Sequence, residues 1–271
     1  MSELIALQIN GQDKISENLD KCEHLLTQCR ITGKEPALVV LPECVAQFAC
    51  SGSIMLSNAE TLGEGPIQQA FARMARRHKV FLVAGTMPIY SEDTSRYYAC
   101  SLVFSPDGKC ISHYNKMHLF DVEIKDNTRA YQESKYTKAG TQLSCFDSPW
   151  GSVGQAICYD LRFTNLFSAM MPVNIIAIPS AFTRVTGEAH WHALLRARSI
   201  ETQSYVIAAN QVGNHQDGRE TFGHSCIYSP WGELLSVIKQ GEGWASAYCD
   251  LNYLNEIRER MPVLSHQKER Y

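Results

Sequence analysis

Three short apolar runs decide the fold: Leu4-Ile5-Ala6-Leu7-Gln8-Ile9, Ala37-Leu38-Val39-Val40-Leu41 and Val80-Phe81-Leu82-Val83-Ala84. Each is too short for a buried helix and is rich in Leu, Ile or Val, so each reads as a buried strand. Between the first two, Leu19, Cys22, Leu25, Leu26 and Cys29 recur at helical spacing over residues 15–30. Between the second and third, Ile67, Ala70, Phe71 and Met74 mark one face of a helix over Ile67 to His78. The order is therefore βαβαβ, which favours parallel strands with helices outside them.

The middle of the chain changes style. Tyr98 to Phe104 and Cys110 to Tyr114 flank Ser105-Pro106-Asp107-Gly108, a strong turn signal, and predict a hairpin. Ser148-Pro149-Trp150-Gly151 separates Leu143–Phe146 from Val153–Cys158 in the same way, and Ser229-Pro230-Trp231-Gly232 separates Ser225–Tyr228 from Leu234–Ile238. A helical stretch near 163–171 precedes a buried strand at Asn174 to Ile178. The longest helix is expected over 188–203, followed by strands at Val206–Ala209 and Ala245–Cys249. A single sheet of about a dozen strands would curl or split. Two sheets packed face to face, with helices outside, is the economical arrangement. No linker, repeat or low-complexity tract divides the chain, so residues 1–271 read as one domain.

Composition removes several function classes. The net charge of −3 lacks the basic footprint of a general nucleic-acid binder. No apolar run reaches membrane-span length, and the opening Met1-Ser2-Glu3 with its short apolar run is unlike a signal peptide. A cytoplasmic, reducing setting is expected, without membrane or nucleic-acid partners. The ten cysteines then serve as packing, metal ligands or catalysts. No pair stands as C-x2-C or C-x4-C, and His190-Trp191-His192 has no acid or thiol at ligand spacing. Neither a metal nor a cofactor is expected.

Three reactive residues fall at strand ends, where a mostly parallel sheet opens its ligand crevice. Glu43 follows the run ending in Leu41-Pro42, Lys116 follows Ile111–Asn115, and Cys158 follows Val153–Ile157. Together they suit acyl transfer: Glu43 takes the thiol proton, Cys158 attacks a carbonyl, and Lys116 stabilises the oxyanion and lowers the thiol pKa. Taken singly, each has a plainer reading. Cys158 could be packing, Lys116 a solvated surface charge and Glu43 a helix cap.

The same segments carry a resemblance. Leu41-Pro42-Glu43-Cys44, Tyr114-Asn115-Lys116-Met117-His118-Leu119-Phe120-Asp121 and Ile157-Cys158-Tyr159-Asp160-Leu161-Arg162-Phe163 resemble the three signature segments of the nitrilase, or carbon–nitrogen hydrolase, superfamily. They stand in the expected order, and the likeness runs from about residue 3 to about 266. It implies an α/β fold, an α-β-β-α sandwich of two mixed sheets with helices on both outer faces. It also implies a Glu43–Lys116–Cys158 triad, with Glu133 of Tyr131-Gln132-Glu133-Ser134 as a second glutamate. Pairing into a homodimer or higher homo-oligomer, through the face carrying the helix after the nucleophile, is a further implication.

Within that superfamily, Lys116–Glu123, Ser180–Thr183, Thr186–Arg198, Gly223-His224-Ser225 and Arg260-Met261-Pro262-Val263 are similar to the deaminated glutathione amidase branch. The neighbouring ω-amidases, acting on 2-oxoglutaramate or 2-oxosuccinamate, share much of this. The branch resemblance implies a small-molecule amide substrate, cleaved to 2-oxoglutarate and cysteinylglycine through a thioester. The Tyr159 N–H joins Lys116 as an oxyanion donor, and Glu133 orients Lys116 or helps activate water. Arg162 would clamp the 2-oxo acid carboxylate, since guanidinium binds carboxylate in bidentate fashion, although a salt bridge to Asp160 is the plainer alternative. Phe182 and Thr186 match positions lining the acyl pocket, although Phe182 could be core and Thr186 could cap the long helix. Arg184 and Arg129 are further cationic options, while His190 and His192 are expected to satisfy hydrogen bonds and not to act as bases. The chain departs from the pattern at Thr164-Asn165, where Pro-Glu is usual, and at Lys125-Asp126-Asn127, where Pro-Gly is common. A non-enzymatic scaffold on this fold would not need all three triad residues, and all three are present.

Overall fold

The computed structural model describes residues 2–29, 31, 35–124, 126 and 130–266. Its first elements are β1 (Ser2–Gln8), α1 (Ile15–Gln28), β2 (Leu38–Val40), α2 (Gly52–Ser57), α3 (Pro66–His78) and β3 (Phe81–Val83). β1 pairs in parallel with β2, and β2 with β3, as the βαβαβ reading requires. β4 (Met87–Tyr90), β5 (Tyr97–Phe104) and β6 (Cys110–Asn115) follow, and β5 runs antiparallel to β3, β4 and β6. A small ribbon, β7 (Asp121–Glu123) with β8 (Ala130–Gln132), stands apart from this sheet.

The second sheet begins with the hairpin β9 (Cys145–Ser148) and β10 (Gly151–Gln155). α4 (Thr164–Met170) leads to β11 (Ile175–Ser180), and α5 (Arg184–Thr202) leads to β12 (Tyr205–Asn210). β10, β11 and β12 are mutually parallel. A second ribbon, β13 (Val212–Asn214) with β14 (Glu220–Phe222), precedes β15 (Ser225–Tyr228), antiparallel to β12, and β16 (Leu234–Ile238), antiparallel to β15, which complete this sheet. The chain then returns: β17 (Gly243–Cys249) pairs antiparallel to β1 in the first sheet, and α6 (Leu251–Arg260) and α7 (Val263–His266) follow.

Side-chain alternation along the strands builds four layers. On β1, Ile5 and Leu7 face Cys22 and Leu25 of α1 and Phe71 and Met74 of α3. Leu4 and Ala6 point the other way, into a core shared with Ile175, Ala177, Ile207 and Ala209 of the second sheet. The far face of that sheet, through Ile176, Ile178 and Val206, covers Phe167 of α4 and Trp191 and Leu195 of α5. Period-two strands buried on both faces thus produce an α-β-β-α sandwich. Each large apolar side chain buried this way contributes roughly 1.5–3 kcal/mol.

The expected helices and hairpins are present, with two boundary corrections. β10 stops at Gln155, before Ile157, because Ile157 N donates to the Asp160 carboxylate at 2.9 Å and not to a neighbouring strand. α5 begins at Arg184, four residues earlier than the apolar pattern indicates, because Thr183 caps it and accepts from Thr186 N. Thr186 therefore lies inside the first turn and is not the cap. At the Thr164-Asn165 departure, α4 still begins at Thr164, without a side-chain cap hydrogen bond. Of the Lys125-Asp126-Asn127 departure, Lys125 and Asn127 lie outside the described residues, as does Arg129.

Candidate active site

The C-terminal ends of β2, β6 and β10 converge, and the two sheets are stitched together there. Glu43 N donates to Ser180 O at the end of β11, at 3.2 Å, and Gln211 Nε2 donates to Glu43 O at 2.9 Å. The Glu43 backbone, borne by the first sheet, is thus held from the second. Lys116, the residue after β6, donates from its N to Ala99 O on β5. Its side chain is only 2% exposed. Nζ donates to Glu43 Oε1 at 2.7 Å and to Glu133 Oε2 and Oε1 at 2.8 and 3.1 Å. Glu133 heads a short 3-10 turn, Glu133–Lys135, and its Oε2 also accepts from Phe120 N at 2.7 Å.

Cys158 opens a second 3-10 turn, Cys158–Arg162, with φ of +46°. A non-glycine residue in this region costs on the order of 1–3 kcal/mol and persists only where its surroundings fix it. Here the fixing group is Asp160, which is wholly buried. Its Oδ2 accepts from Ile157 N and from Tyr114 OH, and its Oδ1 from His118 N and His118 Nδ1, at 2.7–3.0 Å. The His118 ring in turn stacks on Phe163 at 3.7 Å. This network occupies Asp160 completely, so the salt bridge to Arg162 weighed above does not form. Residue types at strand ends gave no signal for it.

Burial sets the protonation states. The Cys158 thiol is pushed well above its ordinary value, first by burial and then by the charge of Glu43, which lies within hydrogen-bonding reach. Lys116 pulls the other way without offsetting this, so the expected net lowering of the thiol pKa is not found. A thiol raised in this way needs a base beside it before it can act as a nucleophile, and Glu43 is in reach. Lys116 is itself buried, which disfavours its charge, yet Glu133 and Glu43 more than compensate and hold it well above the usual lysine value. Burial raises the Glu133 carboxyl, with Lys116 opposing.

These residues line one cavity of about 240 Å³. Arg162 stands on its wall, half-buried, with its Cζ 5.4 Å from the Phe182 ring and 5.8 Å from the Tyr159 ring. It donates to His190 Nδ1 at 3.2 Å, and no carboxylate pairs with it among the described residues. Phe182 is both core and wall: it packs on Trp191 at 4.8 Å and borders the cavity. Thr186 also borders it, its hydroxyl 2.8 Å from that of Thr183. The N–H of Tyr159 precedes the first bond inside its turn, from Asp160 N to Ile157 O. Arg184 is exposed and engaged by Glu188 and Glu220. His192 bonds Tyr228 and His224. Cys44 borders the cavity too, its thiol pushed up to about 12 by burial and by the adjacent Glu43. Phe48 and Arg219 are wall residues that no sequence pattern singles out. Among the described residues, no group of three or more His, Cys, Asp and Glu is placed to hold a metal ion, and no helix is long and apolar enough to cross a membrane.

A buried thiol, a carboxylate in reach of it and a lysine bridging two carboxylates meet in one cavity of an α-β-β-α sandwich. The sequence profile described as Carbon-nitrogen hydrolase matches residues 5–259. The chain is 38% identical over 265 residues to the deaminated glutathione amidase of Yersinia enterocolitica, covering 97% of this chain and 91% of that one. It is 34% identical over 256 residues to omega-amidase NIT2-B of Xenopus laevis, covering 94% and 90%. The crystal structure of Saccharomyces cerevisiae Nit3, a member of branch 10 of the nitrilase superfamily, superimposes with a TM-score of 0.87 at 29% identity, covering 100% of this chain and 97% of that one. The chain belongs to the carbon–nitrogen hydrolase family and is a hydrolase of amides.

Proposed function

We propose that this enzyme cleaves deaminated glutathione to 2-oxoglutarate and cysteinylglycine, a reaction that removes a damaged metabolite. The observation that carries the proposal is Arg162, a guanidinium without a carboxylate partner among the described residues, sharing a cavity with the Cys158 thiol and the Lys116 bridge. A 2-oxo acid amide supplies the missing carboxylate at one end and the scissile carbonyl further along.

In this reading Glu43 accepts the Cys158 proton as Sγ attacks the amide carbonyl carbon. The oxyanion is received by Lys116 Nζ and the Tyr159 N–H, each donor of this kind being worth about 3 kcal/mol of barrier. Collapse breaks the C–N bond, and Glu43 returns the proton to the departing amine. Glu43 then deprotonates a water that attacks the thioester, releasing the acid and restoring the thiol. Glu133 holds Lys116 cationic and aimed. Arg162 binds the 2-oxo acid carboxylate, beside Phe182 and Thr186.

Residues 1–271 act as one catalytic domain in this reading, since each sheet supplies part of the site. Ten free cysteines suit a reducing, cytoplasmic setting. The exposed Ile200, Trp231 and Leu234 support a homodimer or higher homo-oligomer, to be checked by light scattering after size exclusion. The likeness to the Xenopus omega-amidase keeps a second reading open, an ω-amidase acting on 2-oxoglutaramate or 2-oxosuccinamate. The test compares kcat/KM on deaminated glutathione and 2-oxoglutaramate for wild type and Cys158→Ala. Preference for deaminated glutathione, lost in the alanine variant, is expected. Preference for the free amide overturns the substrate, and persistent turnover by Cys158→Ala overturns the mechanism.

A further inference from the structure

The cavity wall carries a second guanidinium that the chemistry above leaves unused. Arg219 stands at the turn between β13 and β14, with its Cζ 4.4 Å from the centroid of the Phe48 ring. His215 meets the same ring edge-on at 4.5 Å. That histidine is buried, and its two ring nitrogens are bonded to Gly11 O and Thr221 Oγ1 at 2.8 and 2.7 Å. The platform under Arg219 is therefore fixed. The ribbon itself is tied to the site, because Phe222 N donates to Phe182 O at 3.0 Å and Thr183 bridges Thr221.

Arg219 and Arg162 are separate stations. Arg162 touches Tyr159, Phe182 and His190, whereas Arg219 touches Phe48 and Asp217, and they share no partner. The acids bordering the cavity already have cations of their own: Glu43 and Glu133 have Lys116, and Glu220 has Arg184. Asp217 engages Arg219 through Nε at 2.6 Å. A guanidinium has five N–H donors in a fixed fork, so the remaining edge suits a second carboxylate. The Phe48 ring excludes water from one face, which strengthens such a pair.

We propose that Arg219 is a second carboxylate site, receiving the terminal carboxylate of an amine leaving group that extends beyond the scissile amide. Resting on the reading of the preceding subsection, it assigns Arg162 to the acyl end and Arg219 to the amine end. The ligand class is an amino acid or short peptide with a free C-terminus, not ammonia. A guanidinium on this side explains how one acyl pocket distinguishes a dipeptide amide from a primary amide of the same acid.

The test uses full-length enzyme with Arg219→Gln and Arg219→Lys. The first arm compares kcat/KM on deaminated glutathione with that on its C-terminal carboxamide. Loss of a charge-assisted bidentate pair is worth roughly 10- to 100-fold. The acid is expected to lose at least tenfold more than the carboxamide in Arg219→Gln, with Arg219→Lys intermediate. Equal losses on both overturn the proposal, and so does no loss on the acid. The second arm measures binding of cysteinylglycine and cysteinylglycinamide to wild type and Arg219→Gln by calorimetry. Tighter binding of the acid by wild type, abolished in the variant, supports the site whichever acyl group the enzyme prefers. Equal binding of acid and amide by wild type overturns it. Preference of wild type for 2-oxoglutaramate in turnover overturns only the substrate reading.

Discussion

The floor of the cavity and its wall are built on opposite principles. On the floor, Glu43, Lys116, Glu133 and Cys158 are buried or nearly so, and Lys116 bridges two carboxylates. On the wall, Arg162 and Arg219 are half-buried, lie against aromatic faces and keep donors to spare. An ion-paired, water-poor cluster fixes charge and geometry before any ligand arrives, which is what lowers a barrier. An unsaturated rim has its strongest interaction still to make, which is what selects a ligand. On the proposed function, reaction and choice are carried by different residues, and substitutions should separate them.

Lys116→Met should break the floor most severely. It leaves two buried carboxylates without a cation, a loss of roughly 3–5 kcal/mol. It also removes the proposed oxyanion donor, a loss of roughly 100- to 1000-fold in kcat. Thermal unfolding and single-turnover kinetics read the two effects, and a variant of normal stability and turnover would refute the cluster. Asp160→Asn should come next, because the amide cannot accept all four hydrogen bonds that pin the turn under Cys158. A fall of about 100-fold in kcat with little change in KM is expected, and a pure KM effect would place Asp160 outside the geometry of attack.

The wall should answer differently. Arg162→Met is expected to raise KM for 2-oxo acid amides roughly 10- to 100-fold, with kcat reduced far less. If kcat falls as steeply as in the Lys116 variant, floor and wall are not separable. Alkylation of Cys158 by iodoacetamide tests the protonation state of the floor. Burial and Glu43 disfavour the thiolate, so the reactive fraction should grow about tenfold per pH unit beyond the ordinary thiol range. A plateau between pH 6 and 8, followed by mass spectrometry of the labelled peptide, would mean that the thiolate is already formed. Thr183→Ala should have the smallest effect, costing about 1 kcal/mol through the lost cap of α5. It is read as a small drop in Tm.

Much of this architecture is legible in the sequence. The βαβαβ start, the three hairpins and the strand-end positions of Glu43, Lys116 and Cys158 all follow from apolar periodicity and turn residues, which act over a few neighbours. What was illegible depends on distant partners. The Asp160 network joins Tyr114, His118 and Ile157, residues that no local period relates. The thiol pKa moved opposite to the expectation from a nearby lysine, because burial and Glu43 outweigh one cation, and burial is a property of the packed sandwich. β13 and β14 are three residues each, too short for alternation to show. With them went the place of Arg219. Thr186 offers itself as an alternative cap because the apolar pattern of α5 starts late, whereas the capping hydroxyl belongs to Thr183.

One feature of the topology bears on how the enzyme comes into being. β1 is an interior strand, flanked by β2 on one side and by β17 on the other, with Ser2 opposite Cys249. During synthesis β1 must therefore wait, one edge unpaired, for β17, which is made long after it. Pairing so remote in sequence is slow to close and leaves an apolar edge exposed meanwhile. A ribosome stalled before residue 243 would hold Glu43, Lys116 and Cys158 in one chain whose first sheet still lacked its closing strand.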